Sequence, residues 1–137
     1  MPDSVNLQVG QAAPDFVMTA SDGKEVSLGD FLKTLLVFFF FPRNNASESI
    51  RMACDFRDHY EEFVKLGVCV VGSGIETFDS QSKFASKYHL PFPLLCDNDM
   101  KLSRIYGVFK PRVVEGARVF GVERTTFVIN RKGEILK

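Results

Sequence analysis

A chain of 137 residues with 45% hydrophobic residues fits a single domain, residues 1–137, long enough to bury a core. Lys plus Arg number 17 and Asp plus Glu 17, a formal net charge of zero with no basic stripe, which argues against nucleic-acid binding. The longest apolar run, Leu35–Phe41, is about seven residues against the roughly 20 that cross a bilayer, and Met1–Ser4 lacks the basic and apolar regions of a secretory signal. A cytoplasmic protein without a membrane span is expected.

Asp15–Thr19 and Lys24–Ser27 read as short strands joined at Ser21-Asp22-Gly23. Leu28–Phe31 follows as a helical turn. Leu35–Phe41 is a continuous apolar run, the pattern of a strand covered on both faces, and Pro42 ends it. From Ser47 to Leu66, Ala53, Phe56, Tyr60 and Phe63 recur at helical spacing, with Ser47 or Asn45 as the cap and Gly67 as the stop. Val68–Val71 is the next strand, closed by Gly72-Ser73-Gly74. Asp79–Tyr88 is a second helix, Phe92–Leu95 a short strand and Met100–Tyr106 a short helix. Val119–Val122 and Thr125–Asn130 read as antiparallel strands around a reversal, and Arg131-Lys132-Gly133 turns the chain toward Ile135-Leu136. No repeat, linker or low-complexity segment interrupts this order, so one α/β domain with a central mixed sheet flanked by helices is expected.

The alternation of strands and helices implies right-handed crossovers that bring Leu35–Phe41 to a central position. Ligands of open α/β sheets gather beyond the carboxyl ends of the strands, which directs attention to Pro42–Ser49. A strand emptying into a helix start is where a thiol would be acidified by the helix end. The first-turn residue here is Ser49, and the nearest thiol, Cys54, lies further along the helix. Cys54, Cys69 and Cys96 are odd in number and lack Cys-x-x-Cys spacing, so a reducing compartment is expected and a disulfide scaffold is not. His59 and His89, about 30 residues apart, read as surface residues and offer no zinc site. No metal or cofactor is expected.

Several ordered segments resemble one family: Val9–Phe16, Asp22–Leu28, Ala53–Asp58, Lys83–Tyr88, Pro91–Leu95, Tyr106–Val108 and Gly121–Ile129. Through them nearly the whole chain resembles the peroxiredoxins, specifically the peroxiredoxin Q or bacterioferritin comigratory protein subfamily. The resemblance implies a thioredoxin-like fold and reduction of hydrogen peroxide or alkyl hydroperoxides by a thiolate. That thiolate becomes a sulfenic acid, a resolving thiol converts it to a disulfide, and a thioredoxin-like reductant restores it. A monomer or homodimer, with neither nucleic acid nor membrane as partner, is the associated expectation.

Residue by residue, the resemblance puts Pro42 at the site proline, Arg124 at the arginine that polarises the peroxide, and Cys54 at the resolving cysteine. The Thr-Pro-Gly-Cys motif itself is replaced by Ala46, Ser47, Glu48 and Ser49. Ser49 thus stands at the peroxidatic position. A serine hydroxyl is not ionised at neutral pH and cannot run the sulfenate–disulfide cycle, so peroxidase activity is expected to be weak or lost. A catalytically silent binding or redox-sensing protein and an engineered variant of an active peroxidase are the alternatives.

Other candidate residues carry plain readings beside the functional ones. Ser49 reads as a cap or a polar first-turn residue, Cys54 as an inherited helix thiol or a substitute nucleophile, and Cys69 as core. Cys96 is expected to be partly exposed and inert. Arg124, which opens an apolar strand, reads either as a site residue or as the partner of a carboxylate such as Glu48. In the family another strand segment and a helix follow, so a short or truncated form is expected at Lys137.

Overall fold

The computed structural model describes residues 7–137, apart from the side chains of Arg112 and Val114. Its centre is a four-stranded sheet in the order β5-β4-β3-β8, formed by Leu94–Cys96, Cys69–Gly74, Leu36–Phe40 and Thr125–Ile129. β3 runs parallel to β4 and antiparallel to β8, and β4 runs parallel to β5. The apolar run therefore forms a central strand, as its two-sided hydrophobicity requires.

Side chains alternate across a strand, and β3 uses both faces. Phe38 and Phe40 enter one core with Val71, Leu95, Leu102, Tyr106 and Phe127, under β1 (Val17–Thr19), β2 (Glu25–Ser27), a 3-10 turn at Leu28–Phe31 and α4 (Lys101–Ile105). Phe39 and Phe41 enter a second core with Ala53, Val70, Phe84, Phe92 and Leu94, against α1 (Ser47–Asp58) and α3 (Phe78–Lys87). All four rings, 38 to 41, are fully buried. Phe39 stacks on Phe56 of α1 at 4.4 Å between centroids, and Phe38 meets Tyr106 edge-on at 5.3 Å.

Three expectations need correction. The helical run does not continue unbroken to Leu66. It divides at His59, whose backbone (φ −105°, ψ 8°) leaves the α region between α1 and α2 (Tyr60–Lys65). The Asp55 carbonyl accepts from both the His59 amide and its ring nitrogen, which holds the break in place. Gly72-Ser73-Gly74 does not close a strand but completes β4. A Cβ on Gly72 would lie 2.6 Å from the Phe39 ring and one on Gly74 2.7 Å from the Phe41 ring, so glycine is what lets those rings lie on the sheet.

The third correction concerns pairing. Val119–Val122 belongs to β7 (Ala117–Val122), which pairs with β6 (Phe109–Val114) in a separate hairpin, whereas β8 joins β3 in the central sheet. The hairpin turns at Glu115-Gly116, both with positive φ (51° and 77°), as a two-residue loop between right-twisted strands requires. β8 thus returns to the sheet with Thr125 opposite Phe40, which brings the preceding residue, Arg124, to the carboxyl end of β3.

Candidate functional site

β3 ends at Phe40, Phe41 continues its burial, and Pro42 turns the chain into a loop that starts α1 at Ser47. Asn44 anchors that loop: its amide donates to Glu76 Oε2 at 3.1 Å, and its Nδ2 donates to Ser80 Oγ at 3.0 Å and Gln81 Oε1 at 3.3 Å. Gln81 is fully buried and donates in turn to the Leu95 carbonyl at 3.0 Å. The loop is therefore tied through α3 to the far edge of the sheet.

The N-cap of α1 is Ala46, in extended backbone and without a side-chain cap, so neither Ser47 nor Asn45 caps the helix as expected. The first-turn amides of Ser47, Glu48 and Ser49 have no acceptor within the helix. Ser49 is not a cap either. It lies on the buried face of that turn with no exposed surface, and its Oγ has no hydrogen-bond partner among the described residues. A buried hydroxyl without a partner is costly, and Ser73 Oγ in β4 shares that state.

An open cleft of about 350 Å3 lies at this end of the sheet, lined by Pro42, Glu48, Lys110, Pro111, Val122, Glu123 and Arg124. Arg124 Nε stands 3.7 Å from Glu48 Oε2, and Lys110 Nζ stands 3.5 Å from Glu123 Oε2. The structure thus brings Pro42 and Arg124 into one cleft and places Ser49 behind its wall, on the same turn as Glu48. The expected pairing of Arg124 with a carboxylate such as Glu48 is present. Cys54 is half-buried on α1 outside the cleft.

Arg57, one turn beyond Cys54, bonds Asp58 Oδ1 at 3.0 Å and donates to the Tyr88 carbonyl at 2.9 Å, fastening α1 to the end of α3. Cys69 is half-buried in β4 and packs against the first core. Cys96, the last residue of β5, is buried, not partly exposed; loss of solvation pushes its thiol up to about 11. His59 and His89 are exposed, as expected. Among the described residues no group of three His, Cys, Asp or Glu side chains is placed to hold a metal ion, and no helix is long and apolar enough to cross a membrane.

Sequence reasoning missed Lys110, Glu123 and Asn44. Glu123 had a signal in its adjacency to Arg124. Lys110 had none, since it reaches the cleft only through the hairpin, where Glu123 N–H also donates to the Val108 carbonyl at 2.8 Å.

Residues 9–137 match the model of the AhpC/TSA family. Over 133 residues the chain is 33% identical to the peroxiredoxin Bcp of Bacillus subtilis, covering 97% of this chain and 85% of the relative. It is 39% identical over 131 residues to a putative peroxiredoxin bcp of Helicobacter pylori, covering 96% and 86%. Among solved structures, a Xanthomonas campestris peroxiredoxin Q superposes with a TM-score of 0.86 at 29% identity, over 99% of this chain and 85% of that one. The X. campestris bacterioferritin comigratory protein, described through its alkyl peroxide reduction activity, matches with a TM-score of 0.84 at 29% identity, over 89% and 78%. The mixed sheet and its flanking helices are thus a thioredoxin-like fold.

Proposed function

The chain belongs to the AhpC/TSA family as a peroxiredoxin of the peroxiredoxin Q or bacterioferritin comigratory protein type, and from that premise we propose that Ser49 holds its peroxidatic position and that peroxide turnover is lost or strongly weakened. The observation that carries this reading is the place of Ser49: on the first turn of α1, next to a cleft that holds Pro42 and Arg124. A thiolate there would attack the O–O bond of hydrogen peroxide or an alkyl hydroperoxide, take one oxygen as a sulfenic acid and release water or an alcohol. The leaving oxygen would take up the proton, and a thioredoxin-type reductant would supply the two electrons that restore the thiol.

Serine cannot perform the first step. Its hydroxyl stays protonated at neutral pH, and an oxygen in its place has no sulfenate state to pass on. The other changes act in the same direction. Ala46 supplies no hydroxyl to the ligand, and Glu48 adds negative charge where a bound anion would be stabilised by the helix end. Cys54 is the thiol of α1, yet its half-buried place outside the cleft separates it from Arg124. The protein is therefore read as a peroxiredoxin scaffold in the cytoplasm, monomer or homodimer, that binds or senses rather than turns over.

The test is peroxide consumption coupled to thioredoxin, thioredoxin reductase and NADPH, run on the parent, Cys54→Ala and Ser49→Cys. No turnover in the parent with turnover gained in Ser49→Cys is the expected result. Turnover in the parent that disappears in Cys54→Ala would overturn the reading and assign the chemistry to Cys54.

A further inference from the structure

The charged side chains of the cleft meet in two opposite-charge pairs, Glu48 with Arg124 and Lys110 with Glu123. Among the described lining residues the charges therefore cancel. Glu48 has a second attraction, since it stands on the uncapped first turn of α1, where amide hydrogens and the helix dipole favour negative charge. The guanidinium and the helix end are the two features by which this cleft would hold a negative or polarised oxygen. One carboxylate of the chain itself pairs with the first and stands on the turn that forms the second.

We propose that Glu48 is an internal occupant of the cleft, an autoinhibitory contact whose carboxylate takes the place on Arg124 that a ligand oxygen would take. While the pair holds, Glu48 competes with a hydroperoxide or small oxyanion for Arg124. The identity of the ligand as a hydroperoxide rests on the functional reading above; the contact itself does not.

The setting makes the contact weak and adjustable. Half of the Arg124 side chain and two-thirds of that of Glu48 are exposed, so water and salt screen the pair. Releasing Glu48 leaves no buried charge behind, and ionic strength shifts the balance toward the open cleft.

Phenylglyoxal modification of the folded protein tests this, with Arg124 followed by peptide mass spectrometry and the exposed Arg118 and Arg131 as internal references. Glu48→Gln keeps the length of the side chain and removes its charge. Arg124 should be modified about two- to five-fold faster in Glu48→Gln than in the parent, the factor an exposed pair corresponds to, with the references unchanged. Raising salt to about 0.5 M should accelerate Arg124 in the parent and leave the variant unaltered. Equal Arg124 rates in parent and variant, or one salt response in both, overturn the proposal. The readout needs no turnover, so an inactive Ser49→Cys variant would count against the functional reading alone.

Discussion

Ser49 and Cys54 lie on one helix but on different faces of it: Ser49 is fully buried, and Cys54 is half-buried outside the cleft. At a spacing of i to i+5 on an α-helix, their Cα atoms are separated by roughly 8–9 Å and about 140° of rotation. A disulfide spans at most about 7 Å between Cα atoms. In an oxidised Ser49→Cys variant, a bond between positions 49 and 54 therefore requires the first turns of α1 to unwind. Far-UV circular dichroism before and after peroxide treatment should show loss of helix that dithiothreitol restores. A 49–54 disulfide, mapped by mass spectrometry, with helicity unchanged would refute this.

The start of α1 is under-stabilised, because Ala46 in extended backbone leaves the first-turn amides without a side-chain acceptor. Ala46→Thr should raise the free energy of unfolding by about 1 kcal/mol, the usual value of a side-chain N-cap. Urea denaturation should show a higher midpoint at an unchanged slope. A midpoint equal to that of the parent would mean that the threonine hydroxyl does not reach the first turn.

Gly72 is the tightest backbone approach in the second core, with Phe39 and Leu94 atoms 2.6 and 2.8 Å from where a Cβ would stand. Gly72→Ala should lower stability by about 1–3 kcal/mol, the cost of overpacking a filled core. The comparison is thermal and urea unfolding of the two proteins. Stability equal to the parent would show that the Phe39 ring can shift.

Cys96 should be the slow thiol. Its buried site raises the pKa from 9.0 to about 11, so its neutral form is favoured by the fold up to that pH. At pH 8 its thiolate fraction is roughly 100-fold below that of an ordinary thiol. Iodoacetamide labelling followed by peptide mass spectrometry should find Cys96 modified last, with a rate rising about tenfold per pH unit toward pH 11 while the protein stays folded. Early modification of Cys96 at pH 8 would contradict its burial.

The sequence made β3 legible because a strand buried on both faces needs an unbroken apolar run, and Leu35–Phe41 is one. Arg124 was legible through the family resemblance, with its place before the apolar strand Thr125–Ile129 as support. The β6–β7 hairpin was not, because Lys110, Pro111 and Arg112 break the apolar alternation that marks a strand, and Glu115-Gly116 lacks the common Asn-Gly or Asp-Gly signal. The break at His59 was hidden because Phe56, Tyr60 and Phe63 keep their spacing across it, and periodicity does not register one backbone angle. The cleft depends on that hairpin, so its Lys110 wall was out of reach of any reading along the chain.

The strand that supports the cleft also frees it. Phe38–Phe41 are locked into two cores before the chain reaches Pro42, and no side chain from Arg43 to Glu48 is buried. Substitutions at 46 to 48 therefore change the rim of the cleft without changing the packing beneath it. On the functional reading proposed above, the side chains at 46 to 48 can be exchanged in either direction while the two cores beneath them stay as they are.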